Sequence, residues 1–122
     1  MTKISETLIQ ECRRRLLMTK QDVLNRFRTA QRELSAVEKG GDEGDLSVAH
    51  IAEHSFLVAQ ERMRTQLLEI EMALSRMEQG TFGICEETEE VIEEDRLLAI
   101  PWTRLSIEGA ELREAVSRKF AR

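Results

Sequence analysis

The sequence predicts a mainly α-helical protein, in which a long antiparallel two-helix coiled coil is followed by a small knob and a C-terminal helix. Two heptad seams, separated by a glycine-rich loop, predict the coiled coil. The seam pattern stops at Gly80, which predicts a change of architecture there. We therefore expect a hairpin over 1–79, with an acidic tip at 40–47, and a knob with the last helix over 80–122.

The first seam predicts a helix over about 4–38. Its apolar residues follow one another in steps of 4, 3, 4 and 3, and the pair Gly40-Gly41 ends the helix because glycine is favoured just past a helix C-terminus. An apolar face continues towards the N-terminus through Ile9, Cys12 and Leu16. The seam itself consists of Val23, Phe27, Ala30, Leu34 and Val37.

The second seam predicts a helix of similar length that ends at Gly80. Its steps alternate between 3 and 4 without a break. Each helix would be about 50 Å long at 1.5 Å per residue, and the short connection makes the two helices antiparallel neighbours. The seam consists of Ala49, Ala52, Phe56, Ala59, Met63, Gln66, Ile70, Ala73 and Met77.

The knob combines a short segment with the last helix. Residues 81–85 read as extended structure, and Ser106 is a plausible N-cap for the helix that follows. The knob core is expected to contain Phe82, Ile84, Leu97, Ile100, Trp102, Leu105 and Ile107. The inner face of the last helix is expected to consist of Ile107, Leu112, Ala115, Val116 and Phe120.

Composition excludes several classes of function. The formal net charge is -5, whereas nonspecific binding to a phosphate backbone needs a positive stripe. No apolar run approaches the roughly 20 residues of a membrane span, and no signal peptide is evident. With Cys12 and Cys85 far apart, we expect free thiols, a buried structural role for Cys12, and a cytoplasmic location.

The loop between the helices has two interpretations. Asp42, Glu43 and Asp45 place three carboxylates at the far end of the predicted hairpin. Asp45 or Ser47 could simply cap the second helix, where acids also suit the helix dipole. A helix cap does not need three glycines beside three acids. The second interpretation is therefore that the loop is a tip that contacts another protein.

His50 and His54 match the H-x-x-E-H pattern of some zinc proteases. The seam residues Ala52 and Phe56 turn both histidines outward, and no cavity-forming body follows. A solvated helix face is therefore the preferred interpretation, and no catalytic residue is predicted.

The knob has the spacing of a zinc ribbon but not its ligands. The four slots are Cys85, Thr88, Ser106 and Gly109, with 17 residues between the two pairs. A structural zinc ion takes four nitrogen or sulfur ligands, and one thiolate cannot supply them. We therefore expect no zinc and no other cofactor.

Three short sequence motifs, separated as they are in the family, resemble the DksA/TraR family of bacterial transcription factors. Residues 82–85 match the family's F-G-x-C, residues 96–101 match R-L-x-A-x-P, and residues 42–47 fall on the tip motif D-x-x-D-x-A. The resemblance covers nearly the whole chain and is closest to the zinc-less members.

The resemblance implies a regulator that binds RNA polymerase rather than promoter DNA. The globular part would grip the rim of the secondary channel, and the coiled coil would enter it and alter initiation. Asp42 and Asp45 would be the tip acids, Ser47 takes a slot usually held by alanine, and Arg62 would contact the rim helices.

The resemblance also bears on the alarmone ppGpp of the stringent response. The basic residues that contact ppGpp in some members are replaced here by Glu69, Ile100 and Ala110. None of these can balance a pyrophosphate, so we expect weak or absent coupling through that surface. A coiled-coil adaptor that binds another protein partner is the alternative to the polymerase function.

Overall fold

A computed structural model describes residues 4–39 and 46–120 and confirms the mainly helical fold. Helix α1 spans Glu6–Lys39, α2 spans Leu46–Gln79, α3 spans Glu94–Ala99 and α4 spans Ile107–Phe120. The two long helices have 34 residues each, as the seams predicted. The short helix α3 has no heptad signal and was not expected from the sequence. No described helix is long and apolar enough to cross a membrane.

The contacts divide the chain into two compact units. The base unit comprises Met1–Leu17 and Glu69–Arg122, and the coil unit comprises Met18–Leu68. The N-terminal part of α1 and the C-terminal part of α2 therefore group with the knob, whereas the sequence analysis assigned them to the hairpin.

The coil unit pairs α1 with α2 along the predicted seams. Val23 is buried, the other seam residues of α1 are half-buried, and their neighbours are mostly exposed. The rings of Phe27 and Phe56 lie 5.3 Å apart, in the range of favourable aromatic contacts. One seam position is wrong: Gln66 is exposed, and the apolar Leu67 is half-buried beside it.

The base unit contains the main core of the described chain. Cys12 and Leu97 are fully buried there with Leu8, Phe82, Cys85 and Ile92. Trp102 packs against a second cluster of Leu16, Ile70 and Ala73, which joins the knob to both long helices. Cys12 is buried as expected, and its thiol donates to the carbonyl of Leu97 across 3.6 Å.

Two parts of the predicted core are wrong. Ile84 and Ile107 are exposed, and Ile92, which the sequence analysis passed over, is buried instead. Residues 81–85 form turns with a single β-bridge between Ile84 and Val91, not an extended segment.

The predicted inner face of α4 is also wrong. Every residue from 111 to 120 is exposed, including Leu112, Val116 (54%) and Phe120 (78%). Gly109 in the first turn is the buried residue of α4, and Arg113 in the second turn contacts the knob through exposed ion pairs with Glu86 and Glu87. The apolar spacing that indicates a core-facing helix therefore has no opposing surface within the described residues.

Candidate functional site

The four zinc-ribbon positions come together in the base unit. Cys85 follows the β-bridge residue Ile84, Thr88 lies in the turn after it, and Ser106 and Gly109 lie at the start of α4. The sequence spacing therefore predicted this cluster correctly.

Ser106 links the cluster to α4. It precedes the helix, and its hydroxyl accepts a hydrogen bond from the backbone N–H of Gly109 at 3.0 Å, which confirms it as the N-cap. The same hydroxyl donates to Cys85 Sγ at 3.4 Å. The carboxylate of Glu93 accepts from the N–H of Ile107, so a second free amide of the helix start is also satisfied.

Cys85 lies at the centre of the cluster and is buried. Its sulfur also accepts a hydrogen bond from the backbone N–H of Thr88 at 3.5 Å. Burial raises the pKa of the Cys85 thiol, but the hydrogen bonds from Ser106 and Thr88 together outweigh burial and lower the pKa to about 6. The sulfur is thus held as an acceptor by donors on two sides.

Gly109 is the position where a side chain does not fit. A Cβ atom built there would collide with Cys85 Sγ and would lie 3.3 Å from Ser106 Oγ. The sulfur therefore occupies the space that a fourth side chain would need. The donor set is one thiol and two hydroxyl side chains, and no group of three or more metal-binding side chains occurs in the described residues.

Arginine side chains hold the knob segments together by donating to backbone carbonyls. Arg15 donates to the carbonyl of Leu98 at 2.7 Å, Arg96 to that of Leu105 at 2.7 Å, and Arg76 to that of Trp102 at 3.3 Å. These bonds satisfy partly buried carbonyls that lie outside regular helix ladders. Sequence reasoning missed them because long-range side-chain bonds leave no periodic signal.

Residues of two of the matched sequence motifs have structural roles in the base unit. In residues 96–101, Arg96 fixes the carbonyl of Leu105, Leu97 is fully buried, and Pro101 is buried. In residues 82–85, Gly83 has φ +82, a left-handed conformation that favours glycine, and a Cβ there would collide with Ile4.

Arg104 of the knob forms a partly buried ion pair with Glu69 of α2. Its guanidinium makes two hydrogen bonds to Glu69, at 2.7 and 3.1 Å, and a contact with the sulfur of Met72. Both side chains of the ion pair are partly buried. Arg76, which lies near Arg104, has its pKa lowered by burial and then by the Arg104 charge.

The predicted tip lies largely outside the described residues. Asp42 and Asp45 fall in the undescribed segment 40–45, while Ser47 is exposed as the second residue of α2. Because α2 begins at Leu46, Ser47 lies inside the helix and is not its N-cap. Arg62 is exposed further along α2, and His50 and His54 are exposed as the seam predicted.

Comparison with known families gives a match to the knob. The profile of the prokaryotic dksA/traR C4-type zinc finger matches residues 80–115. The name describes four cysteine ligands, of which this chain retains Cys85 alone.

Comparisons with individual proteins extend over most of the chain. An uncharacterized protein of Aquifex aeolicus is 34% identical over 112 residues, which cover 88% of this chain and 77% of that protein. The RNA polymerase-binding transcription factor DksA of Caulobacter vibrioides is 29% identical over 116 residues, with 94% and 82% covered. The structure of transcription factor DksA2 from Pseudomonas aeruginosa matches with a TM-score of 0.85 and 33% identity, over 93% of this chain and 88% of that chain.

Proposed function

Because the chain belongs to the DksA/TraR family, we propose that it regulates initiation by inserting its coiled-coil tip into the secondary channel of RNA polymerase. It is an RNA polymerase-binding transcription factor and not an enzyme. The observation that carries the proposal is the match to DksA2, which spans both the coil and the knob with a TM-score of 0.85.

The tip acids would act at the polymerase active-site region. Asp42 and Asp45 lie in the loop that joins the two 34-residue helices, the part of the chain that would enter the channel. In a confined channel of low dielectric, a carboxylate competes strongly for basic or amide groups of mobile catalytic elements. Ser47, exposed at the start of α2, would flank these acids on the polymerase side.

Arg62 would contact the rim of the channel. It lies fifteen residues after Ser47 on the same helix and is exposed. Its planar guanidinium suits bidentate pairing with a carboxylate of a rim helix. Contacts with protein groups at the tip and the rim would account for regulation without sequence-specific DNA binding.

The knob would fold without zinc. One thiol with two hydroxyl side chains and a glycine does not fit a structural zinc ion, which takes four nitrogen or sulfur ligands. Hydrogen bonds to Cys85 Sγ, the buried Leu97 and Ile92, and the arginine–carbonyl bonds would stabilise the knob in its place.

The alarmone ppGpp would not act through the surface of Glu69, Ile100 and Ala110. Glu69 is an acid already paired with Arg104, so it offers no positive charge to a pyrophosphate. In transcription assays, we expect ppGpp to leave the effect of this protein unchanged. A strong enhancement by ppGpp would contradict this part of the proposal.

The decisive test of the partner is direct binding to purified core RNA polymerase. We expect a one-to-one complex in the absence of DNA, as for a regulator that meets polymerase in the cytoplasm. Arg62→Ala should weaken it several-fold, whereas His54→Ala, a change at an exposed residue of the same helix, should not. No binding by the wild-type chain would favour the adaptor function instead.

A further inference from the structure

An open groove of about 950 Å³ lies in the base unit, and all the residues that line it belong to that unit. It runs beside the first turns of α1, the C-terminal end of α2 and the turn that follows Cys85. Such a lining is typical of a surface that receives an apolar side chain. The apolar lining consists of Ile4, Ile9, Met77, Phe82, Ile84 and Val91.

The charged residues that line this groove are all acids. Glu6, Glu89 and Glu90 line it, and each is exposed. The Glu6 carboxylate accepts a hydrogen bond from the neutral side-chain amide of Gln10 at 3.2 Å, and no basic side chain in the described parts of the chain pairs with it. Within residues 4–39 and 46–120, the carboxylates of Glu89 and Glu90 have no ion-pair partner.

The neighbouring acids of the same turn are paired. Arg113 donates to Glu87 at 2.9 Å and to Glu86 at 3.3 Å. The turn therefore has two carboxylates that pair with Arg113 of α4 and two that line the groove with no ion pair to any described residue. The groove thus combines an apolar floor with three carboxylates in its lining.

Glu89 has an unusual backbone conformation. Its φ is 61, in the left-handed region that favours glycine and asparagine, and its N–H donates to the carbonyl of Cys85 at 2.9 Å. Glycine would meet the needs of this turn with less steric cost. Glu89 therefore costs this turn some stability relative to glycine, and substitution with glycine can test whether its side chain has a role in binding.

From these observations we infer that the groove docks a segment of RNA polymerase in which an apolar side chain is flanked by lysine or arginine. The inference rests on the proposed function for the identity of the partner. Charge complementarity determines the chemistry of the segment, since uncompensated carboxylates around an apolar floor favour a cationic, apolar ligand. Docking here would hold the base unit on polymerase independently of the tip.

The experiment measures the dissociation constant of the full chain for purified core RNA polymerase. The double variant Glu89→Lys, Glu90→Lys should raise the constant about tenfold or more, because repulsion replaces attraction at the rim of the groove. A matched control, Glu111→Lys with Glu114→Lys on exposed α4, makes the same charge change outside the groove and should stay within about twofold. Ile84→Thr, which keeps a β-branched residue in the bridge, should weaken binding about threefold or more by removing apolar contact.

Glu89→Gly separates a binding role from a structural one. It should move the midpoint of urea unfolding to higher urea while it weakens polymerase binding about threefold or more, a combination that loss of structure cannot produce. Unchanged binding by Glu89→Gly and by the double variant, with wild-type binding intact, would overturn the groove inference and leave the proposed function standing. Dimerisation of the free chain that the double variant abolishes would overturn it too, since a second copy would then occupy the groove. Absence of wild-type binding would instead refute the proposed function.

Discussion

The hydroxyl of Ser106 donates to the sulfur of Cys85 across 3.4 Å, and it accepts at the same time from the N–H of Gly109. These two hydrogen bonds connect three of the four positions that correspond to the cysteine ligands of the C4-type zinc finger. The start of α4 is thus fixed to the Cys85 turn by hydrogen bonds rather than by a shared metal ion.

Gly109→Ala should destabilise the protein by about 1–3 kcal/mol, the usual range for overpacking a core. The new Cβ collides with Cys85 Sγ, and rotating the sulfur away would abandon the hydrogen bonds from Ser106 and Thr88. Urea unfolding measures the change. Ser117→Ala, at an exposed position of the same helix, is the control and should change stability by no more than about 0.5 kcal/mol. Equal stability of the two variants would show that the sulfur does not fill this space.

The knob should be insensitive to chelators. Incubation with EDTA should change neither the helical circular dichroism signal nor the unfolding midpoint, because hydrogen bonds and packing stabilise the Cys85 cluster. As a positive control, we expect Thr88→Cys, Ser106→Cys and Gly109→Cys together to restore four thiol ligands and to confer zinc binding. Loss of helicity of the wild-type chain on adding chelator would contradict the zinc-less account.

The stability of the wild-type protein should depend on Cys85 between pH 6 and 9. The folded pKa of about 6 lies below the ordinary value of 9.0. The unfolded chain therefore binds a proton in this window and the folded chain does not, so the stabilisation from Cys85 grows as pH rises and is lost as pH falls through about 6. Comparing the urea midpoints of wild type and Cys85→Ala at pH 5.5 and 8.5 measures it. Cys12, whose pKa burial raises, is present in both proteins, so its contribution cancels in the comparison. A difference between the two proteins that does not grow with pH would contradict a hydrogen-bonded thiolate.

Substitutions on α4 and α3 should differ sharply in their effect on stability. Val116→Gln should change the free energy of unfolding by no more than about 0.5 kcal/mol, because Val116 is 54% exposed. Leu97→Ala should cost about 2–5 kcal/mol, because Leu97 is fully buried. Thermal unfolding compares both variants with wild type. A large loss in Val116→Gln would indicate that the outer half of α4 packs on the body after all.

Periodicity was sufficient to predict the long helices and most of their seams. The apolar pattern that includes Val23 and Phe27 repeats at heptad spacing over many turns. A long pattern remains informative even where single positions deviate from it. The seam prediction was wrong at residue 66. The polar side chain of Gln66 is exposed there, and the apolar side chain of the neighbouring Leu67 is half-buried instead. Periodicity also gave a wrong prediction at α4, where Leu112 and Val116 have core spacing but every residue from 111 to 120 is exposed.

Spacing alone was sufficient to predict the Cys85 cluster, but not its chemistry. The interval between Cys85 and Ser106 matches a zinc ribbon, so the four slots meet as expected. The bonds from Arg15 and Arg76 to carbonyls of the knob could not be predicted, because each depends on long side chains brought together by tertiary structure. The left-handed backbone conformation of Glu89 could not be predicted either, because glutamate does not favour that conformation.

The most direct test of the account is in vitro transcription from a ribosomal-RNA promoter with wild type and Asp45→Asn, alongside binding to core polymerase. We expect Asp45→Asn to bind polymerase normally but to lose the effect on initiation, because the carboxylate acts at the active-site region and not in docking. Glu53→Gln, an equal change of charge at an exposed position of α2, should keep the full effect. Full activity of Asp45→Asn together with Asp42→Asn would contradict the account, since the loop acids would then only cap α2.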